Sequence, residues 1–254
     1  MHVKNPFIIY NAAAGRGCGD EVRNALARHF TAPDGSIAIH ETAPGERIDE
    51  TVRSAVAGGC DLVVAAGGDG TVSAAMTGAV GSTVPLAIIP VGTTNLIARG
   101  LGIPLDPSRA ALLAATAGST RSLDAMAIGG RHYFLQVGVG LTALAVDGAT
   151  RELKNRFGVF AYVGAAARRL FELRPHHLEI TVDGALHRVH SIEATVANNG
   201  ILARALFRNG PDIRMDDGRL DVCVLVTRTI LDYPRLALHI LIGRTSSSSR
   251  PGGA

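Results

Sequence analysis

The chain has 254 residues, of which 47% are hydrophobic, and a formal net charge of +3 at pH 7. This length and composition allow one large domain or two modest ones with buried cores, and they exclude general disorder. The basic residues are not clustered enough to indicate DNA or RNA binding, and three widely separated cysteines predict neither a disulfide framework nor a cysteine-paired zinc site.

The first half of the chain alternates short apolar runs with helical patterns, which is typical of parallel strands joined by crossover helices. The predicted strands are 7–11, 36–41, 61–66 and 85–90, and the predicted helices are 20–30, 46–57, 72–80 and 107–117. This order predicts a doubly wound α/β domain over residues 1–122.

From about Leu123 the pattern changes to strands that follow one another directly. The predicted strands are 125–128, 133–137, 178–182, 187–198 and 220–226, and helices are predicted at 159–173 and 231–243. Asp183-Gly184 is a hairpin turn signal. This order predicts a second, mainly antiparallel β-rich domain over residues 123–244. Residues 245–254 are rich in Ser, Pro and Gly and are predicted to form a disordered tail.

A glycine-rich loop, Gly67-Gly68-Asp69-Gly70-Thr71, follows the third strand and precedes a helix predicted to begin at Val72. Ligands of open α/β sheets bind at this edge, where glycines let the backbone approach phosphate oxygens and a helix N-terminus presents N–H groups. Asp69 suits an anionic ligand if Mg²⁺ bridges the two, directly or through water. Thr71 can cap the helix or donate to a phosphate. The alternative is an ordinary tight turn in which Asp69 caps the helix.

The next strand ends in a similar loop that contains Gly92, Thr93, Thr94 and Asn95. The order of apolar run, glycine turn, hydroxyl groups and helix start is the same, so both loops are predicted to face one pocket. Thr93 can bond a phosphate or the nucleotide sugar, and Asn95 can fix the loop or hold substrate. On its own, this turn is as often structural as functional.

A third transition from strand to loop runs from Asn11 through three alanines to Gly15. Its spacing does not match the dinucleotide fingerprint G-x-G-x-x-G, and the chain has no G-x-x-x-x-G-K-S/T sequence of Walker kinases. Without further information, Asn11 is interpreted as a residue that closes the turn more often than one that contacts a nucleotide.

Four acidic residues, Asp212, Asp216, Asp217 and Asp221, lie around a glycine just before a predicted strand. Carboxylate and carbonyl oxygens in such a turn can hold a hard cation, although the spacing does not match an EF-hand. A solvated turn is an equally good interpretation.

Two groups of histidines, His176-His177 and His187 with His190, occur in the second half of the chain. They lack an accompanying Cys or carboxylate at metal-ligand spacing, so they are predicted to be surface or strand histidines.

The loops resemble, in order and interval, those of the diacylglycerol kinase catalytic domain shared by bacterial lipid kinases and sphingosine kinases, and the likeness covers nearly the whole chain. Asn11–Gly15 matches the family's N-P-x-S-G loop, Gly67–Ser73 its G-G-D-G-T-x-N loop, and Pro90–Arg99 its P-x-G-T-x-N-x-x-A-R segment. Asp217–Asp221 resembles the D-G-x-L-D turn, and Asp124 falls where the family carries an Asp after the interdomain crossover.

The resemblance implies an ATP-dependent lipid kinase that phosphorylates a hydroxyl of diacylglycerol or a similar lipid, with Asp69 positioning metal and phosphate. It implies nucleotide contacts from the loops and from the threonine after the second strand, namely Asn11, Gly15, Thr42, Gly67, Gly68, Asp69, Gly70, Thr71, Val72, Ser73, Gly92, Thr93 and Asn95. It also implies a structural Mg²⁺ held by Asp217 and by the backbone carbonyls of Arg214 and Arg219.

The resemblance further implies that residues 123–244 bind the lipid substrate at a membrane surface. No apolar run reaches the ~18 residues of a membrane span. The chain is therefore expected to be cytoplasmic and peripheral to the membrane, and the isolated cysteines fit a reducing compartment. The sequence leaves dimerisation and the identity of the acceptor lipid open.

The sequence also departs from the family pattern. Ala12 and Ala14 replace the usual Pro and Ser, which removes one hydroxyl contact to phosphate. The family's catalytic Glu in a D-G-E turn has no counterpart, so a C-terminally truncated relative without its general base is expected. Two alternatives stay open: a metabolite kinase, because NAD kinases and phosphofructokinases also use a G-G-D-G loop, and a non-catalytic nucleotide-binding or regulatory module.

Overall fold

A computed structural model describes residues 3–14, 19–31, 37–140, 175–202, 207–208 and 213–225. The chain divides into two compact units, the first formed by Met1–Phe134 with Met215–Asp217 and the second by Leu135–Arg214 with Gly218–Ala254. Gly15, Asp212, the helices predicted at 159–173 and 231–243, and the predicted tail lie outside the described residues.

The first unit contains a four-stranded parallel sheet in the order β2-β1-β3-β4. Its strands are β1 Pro6–Tyr10, β2 Ile39–Glu41, β3 Leu62–Gly67 and β4 Leu86–Pro90. All six residues of β3 are buried, as expected for an apolar run at the centre of a parallel sheet. Because successive strands are added on opposite sides of β1, the sheet has a topological switch point between β1 and β3.

Helices cover this sheet because its strands carry apolar residues on both faces. They are α1 Gly19–His29, α2 Ile48–Ala57, α3 Asp69–Ala79, α4 Leu96–Gly100 and α5 Pro107–Thr116. Helices α1 and α5 pack together against one core, and α2 packs against α3. Gly78 permits that second contact, because a Cβ there would lie 2.5 Å from the carbonyl oxygen of Asp49.

Helix α3 begins three residues before the predicted start at Val72. Gly68 is its N-cap residue in an extended conformation, and the Val72 N–H donates to the Gly68 carbonyl at 3.0 Å. A glycine N-cap gives no side-chain signal, so the sequence placed the helix start too late. As a consequence, Asp69, Gly70 and Thr71 form the first helical turn and not a separate loop.

The remaining described strands pair in the antiparallel sense, which confirms the predicted fold class. The first unit carries a hairpin of β5 Met126–Ile128 and β6 Arg131–Tyr133. The second unit contains β7 Gln136–Gly140, β8 His176–Val182, β9 Ala185–Ser191, β10 Glu193–Ala197, β11 Ile201–Leu202, β12 Phe207–Arg208 and β13 Asp221–Leu225. These form a three-stranded sheet β13-β10-β7 and the two-stranded pairs β8-β9 and β11-β12.

The predicted strand 187–198 is in fact two strands, because the chain leaves the ladder at Ile192. The Ser191 hydroxyl donates to the Glu193 carbonyl at 2.7 Å and accepts from the Glu193 N–H at 3.1 Å. This local side-chain bond replaces ladder pairing, and the Ile192 side chain is buried at the break. The predicted strand 133–137 is likewise divided, at the buried residue Phe134 and at Leu135.

The three-stranded sheet of the second unit carries buried polar residues. On the central strand β10, Glu193 and Thr195 are buried, and the Thr195 hydroxyl donates to the Glu193 carboxylate. Gly138 on β7 provides the space, because a Cβ there would lie 2.7 Å from the Thr195 hydroxyl oxygen and 2.9 Å from Glu193 Oε1. On the opposite face, Val139 and Val222 are 65% and 36% exposed.

Among the described helices, none combines the length and the hydropathy that a bilayer span requires.

Candidate functional site at the carboxyl edge of the parallel sheet

The loops predicted from the sequence leave the parallel sheet at one edge. The Asn11 N–H donates to the Ala66 carbonyl at 2.9 Å, and the Val91 N–H donates to the Gly67 carbonyl at 3.0 Å. The backbone ladder therefore continues to the end of β1, β3 and β4, and three chain segments turn away at the same level. This edge includes the switch point between β1 and β3, where open α/β sheets bind ligands.

Gly67 and Thr71 form a tight turn that connects β3 to α3. A Cβ on Gly67 would lie only 2.5 Å from Thr71 Cβ, so the threonine side chain covers this glycine. Thr71 is 5% exposed, and its hydroxyl oxygen accepts a hydrogen bond of 2.9 Å from Asn11 Nδ2. Asn11 Oδ1 in turn accepts from the Ala13 N–H at 3.1 Å, so Asn11 both closes its own turn and braces the neighbouring one.

The N-terminus of α3 offers backbone donors at this edge. The N-cap position is occupied by Gly68, which has no side chain that could accept a hydrogen bond from these donors. Thr71 lies inside the first turn and therefore does not act as the N-cap residue. The first N–H groups of a helix have no acceptor within the helix, and the helix dipole favours an anion beside them. A Cβ on Gly70 would meet nothing within 4 Å, so space is open next to these donors.

The carboxylate of Asp69 joins the two glycine loops. Its Oδ2 accepts a hydrogen bond of 2.8 Å from the Thr94 hydroxyl, and its Oδ1 accepts one of 3.1 Å from the Ile97 N–H. Ile97 lies in the first turn of α4, so Asp69 caps that helix from the other loop. A carboxylate oxygen has two acceptor directions, and each therefore keeps one for a cation or a water ligand.

Gly92 brings the second loop into backbone contact with the first. A Cβ on Gly92 would lie 2.5 Å from Gly68 Cα and 2.9 Å from Asn95 Oδ1, which leaves no room for any side chain. The contact holds the two loops at a fixed separation, in addition to the hydrogen bonds of Asp69.

Asn95 adopts the left-handed conformation, with φ of 48°, and its Nδ2 donates to the Gly92 carbonyl at 2.8 Å. Its Oδ1 is buried and has no hydrogen-bond partner among the described residues. Leaving such an acceptor unpaired costs roughly 1–3 kcal/mol. A ligand donor at this position would remove that cost, so the residue fits a binding site.

The structure brings most of the predicted nucleotide residues together at this edge, namely Asn11, Gly67, Gly68, Asp69, Gly70, Thr71, Gly92 and Asn95. Thr93 is an exposed residue of the second loop. Val72 is 2% exposed and belongs to the core, and the Ser73 carbonyl accepts from the Thr77 hydroxyl.

Thr42 lies farther along the same edge. Its N–H donates to the Tyr10 carbonyl at 2.9 Å, which continues the pairing of β2 with β1. Because β1 separates β2 from β3, Thr42 is two strand spacings, about 10 Å, from the first glycine loop.

Sequence reasoning missed Thr94 and Arg99 as supports of the site. Thr94 donates to Asp69, and Arg99 Nε donates to the Thr94 carbonyl at 2.9 Å. The sequence did contain a signal for Thr94, because the second loop carries two hydroxyl residues. Once both loops are assigned to one edge of the sheet, a hydroxyl of the second loop can be paired with the carboxylate of Asp69 in the first.

The acidic turn before β13 contains Gly218 with φ of 72° and an exposed Asp217. Asp216 forms an ion pair of 3.4 Å with Arg121, and the Met215 carbonyl accepts from the Asp124 N–H at 2.7 Å. Within the described ranges no three His, Cys, Asp or Glu side chains group as a metal site. The structural Mg²⁺ site formed by Asp217 and the Arg214 and Arg219 carbonyls therefore stays a prediction.

The two described cysteines are not activated thiols. Burial raises the pKa of the Cys60 thiol, with a smaller contribution from Asp61, and burial likewise raises the pKa of Cys223, beside Asp221. Both thiols remain protonated near neutral pH, which does not favour a thiolate nucleophile.

Comparison with known proteins gives two family matches that together span most of the chain. Residues 5–128 match the diacylglycerol kinase catalytic domain, and residues 136–244 match the YegS C-terminal NAD kinase beta sandwich-like domain. A solved structure of a diacylglycerol kinase from Bacillus anthracis str. Sterne superimposes with a TM-score of 0.75 at 23% identity, covering 92% of this chain and 80% of that one. This likeness supports the fold.

Curated relatives extend the match along the sequence. The chain is 29% identical over 246 residues to a diacylglycerol kinase of Bacillus subtilis (strain 168), covering 95% of this chain and 80% of the relative. It is 31% identical over 224 residues to a Pseudomonas aeruginosa (strain UCBPP-PA14) protein named "Probable lipid kinase YegS-like", covering 87% and 71%. It spans 59% of the length of an uncharacterized Synechocystis protein, at 28% identity.

Proposed function

Because the chain belongs to the family of diacylglycerol kinase-like lipid kinases, we propose that it transfers the γ-phosphoryl group of ATP to a lipid hydroxyl, using Mg²⁺. The observation that carries this proposal is the pair of glycine loops joined by Asp69 at the switch point of the parallel sheet. That arrangement combines close backbone approach, helix N–H donors and a fixed carboxylate, which are the groups that hold a nucleotide triphosphate and its cation.

The proposed phosphate contacts come from the first turn of α3. The N–H groups of Asp69, Gly70 and Thr71 donate to phosphate oxygens, and the absence of a side chain at Gly70 gives those oxygens access. Thr71 holds this turn in place through its contact with Asn11.

Asp69 is the proposed residue for the cation, directly or through water, and the bound Mg²⁺ would supply neutralisation of phosphate charge. The hydrogen bonds from Thr94 and Ile97 fix the carboxylate before any ligand arrives. Oriented groups of this kind need little rearrangement during the reaction, which is the main source of catalysis in phosphoryl transfer. In the proposed reaction the lipid oxygen bonds to the γ-phosphorus, the bond to the bridging oxygen of ADP breaks, and the hydroxyl proton passes to a water molecule.

The proposal extends to the outer parts of the site. Thr42 would contact the adenine side of the nucleotide, and Thr93 would bond a phosphate or the nucleotide sugar. Asp217 with the Arg214 and Arg219 carbonyls would hold a structural Mg²⁺. The substrate class implies that the protein works in the cytoplasm at a membrane surface, where its lipid is accessible. The support for these points is the family membership and the position of the residues in the chain.

The test is transfer of radiolabelled phosphate from ATP with Mg²⁺ to diacylglycerol in mixed micelles, followed by separation of the lipid products. Wild-type protein should form lipid phosphate, and Asp69→Asn should lower the rate at least about 100-fold, as for loss of a preorganised charged group. The control is Asp183→Asn, because Asp183 lies in the hairpin turn between β8 and β9 with φ of 49°, which Asn tolerates.

Two outcomes would reject the proposed activity. If ATP raises the melting temperature but labels no lipid, the chain is a nucleotide-binding module. If NAD is phosphorylated and lipids are not, the chain is a metabolite kinase. Equal turnover of the wild type and Asp69→Asn would reject the role of Asp69 even if a lipid product forms.

A further inference from the structure

The hairpin β8-β9 brings two histidines together that are far apart in the sequence. His177 and His190 lie directly opposite each other in the antiparallel register. Their rings stack, with centroids 4.5 Å apart and an interplanar angle of 26°. Both residues are exposed. The sequence predicted surface or strand histidines without a metal-ligand pattern, because linear spacing does not show this pairing.

The turn explains why these two side chains meet. Asp183 and Gly184 both have positive φ, 49° and 81°, as in the two-residue turns that suit hairpins. In such a hairpin the flanking pair, Val182 with Ala185, exchanges backbone hydrogen bonds, and the pairs alternate from there outward. Counting along the register places His177 and His190 at a non-hydrogen-bonded position, where opposing side chains are closest.

We propose that His177 and His190 form a binding site for a divalent transition metal ion such as Zn²⁺. Imidazole nitrogen is a preferred ligand of zinc, nickel and copper ions, whereas Mg²⁺ prefers oxygen. With metal–nitrogen bonds of about 2.0–2.1 Å, two ligating nitrogens lie about 3 Å apart. The ring centroids are 4.5 Å apart, and because both side chains are exposed, rotation about χ1 and χ2 can turn one nitrogen of each ring toward a common ion.

Glu179 lies near this pair but is not a third ligand. It lies on the same face of the hairpin, two residues after His177 and diagonal to His190. Its carboxylate accepts from Arg188 Nε at 2.9 Å, but the two side chains are 64% and 74% exposed. The carboxylate is paired with Arg188, and among the described residues it does not group with the two histidines as a metal site. Water completes the coordination at an exposed site.

The opposite face of the same hairpin provides an internal comparison. His187 pairs with Ile180, and His176 pairs with Ser191, so neither faces another histidine across the strands. The chain therefore carries four histidines on two adjacent strands, but only one pair has the geometry to chelate a metal ion. Because the pair joins both strands, bound metal is expected to cross-link the hairpin and stabilise the folded state.

The experiment is calorimetric titration of Zn²⁺ into the metal-free, untagged chain, with millimolar Mg²⁺ present to occupy oxygen sites. The wild type should bind one equivalent. His177→Gln and His190→Gln should each weaken binding at least about tenfold, since each removes one of two nitrogen ligands. His187→Gln is the matched control and should bind Zn²⁺ as the wild type does.

A second readout identifies the ligands. With Cu²⁺ in place of Zn²⁺, the electron paramagnetic resonance spectrum should show coupling to two nitrogens in the wild type and in His187→Gln, and to fewer in the other two histidine variants. Far-UV circular dichroism establishes that each variant is folded. Unchanged Zn²⁺ affinity in His177→Gln and His190→Gln would overturn the proposal, and so would an equal loss in His187→Gln. Neither result depends on the proposed kinase activity.

Discussion

The parallel sheet of the first unit and the three-stranded sheet of the second distribute polar residues differently along their strands. In the parallel sheet, β3 is apolar and buried throughout, and the polar groups Asn11 and Asp69 come only after the strands end. In the three-stranded sheet, Glu193 at the start of β10 and Thr195 in its middle are both buried, while Val139 on the other face is exposed.

The two sheets therefore differ in the interactions that stabilise them. In the first unit, apolar burial along the strands supplies stability, and the carboxyl edge is left for chemistry. In the second unit, a buried carboxylate is tolerated because a hydroxyl donates to it and because Gly138 leaves room for it. Replacing a polar residue by an apolar one should therefore weaken ligand binding at the edge of the first sheet and lower folding stability in the second.

Gly92→Ala should have the largest effect, because it forces the two loops of the first unit apart. The added Cβ would meet the Gly68 backbone at 2.5 Å, and overpacking of this kind costs about 1–3 kcal/mol. We expect a loss near the upper end of that range in urea unfolding, together with loss of ATP-induced stabilisation. Gly118→Ala is the control, because its Cβ would meet nothing within 4 Å. Equal stability of both variants would show that the loops do not touch.

Thr195→Val should have the next largest effect on stability. The variant keeps the shape of the side chain but removes one hydrogen-bond donor to the buried Glu193 carboxylate, which costs about 2 kcal/mol. Chemical denaturation measures this loss. Thr181→Val, on the exposed face of β8, is the matched control and should be nearly neutral. A neutral Thr195→Val would mean that the buried face of β10 does not depend on this hydrogen bond.

Thr94→Val tests the same chemistry at the edge of the first sheet. It removes the hydroxyl donor to Asp69, but that carboxylate keeps the Ile97 N–H and is only partly buried, so we expect a loss of about 1 kcal/mol. ATP-induced stabilisation, followed by thermal unfolding with and without nucleotide, should fall more strongly. If stability falls as much as in Thr195→Val while ATP-induced stabilisation is kept, the two sheets do not differ as described.

Glu46, just before α2, allows a test of how the stability of the first unit depends on pH. Its pKa is lowered mainly by the Ala43 N–H, 2.8 Å from Oε2, and further by His40 and Thr51. A lowered folded-state pKa means that the stabilisation is present above the ordinary pKa near 4.5 and is lost as the pH falls through the folded value. Glu46→Gln should therefore flatten the acid limb of the stability profile. An unchanged limb in pH-dependent thermal unfolding would contradict this account.

Val139→Thr should have the smallest effect. The side chain is 65% exposed on the apolar face of the three-stranded sheet, so exchanging a methyl for a hydroxyl group removes little buried area. Substitutions at such surface positions change stability by about 0.5 kcal/mol or less. A loss above about 1 kcal/mol in denaturation would mean that this face is covered in solution.

The sequence predicted the first unit well because its signals are local. The apolar runs of β3 and β4 and the glycines after them gave both the strands and their common edge. The start of α3 was misplaced because Gly68 carries no capping side chain. The bond from Thr94 to Asp69 joins residues 25 positions apart, and such pairs become visible only when both loops are placed in space.

In the second unit, local side-chain bonds and strand pairing carried information that the linear pattern did not. The break at Ile192 depends on the Ser191 hydroxyl, which an apolar alternation cannot reveal. The pairing of His177 with His190 could have been predicted from the sequence. The turn at Asp183-Gly184 was predicted, and counting outward from it gives the observed register.

The most direct test of the central claim is amide chemical-shift mapping of the isotopically labelled chain as ATP with Mg²⁺ is added. The largest changes should occur at the amides of Gly67–Thr71 and Gly92–Asn95, because the first turn of α3 and the second loop would contact the phosphates. Asp69→Asn should reduce the changes in both loops, since Asp69 links them. Changes confined to other parts of the chain, or none at saturating nucleotide, would contradict the assignment of this edge as the nucleotide site.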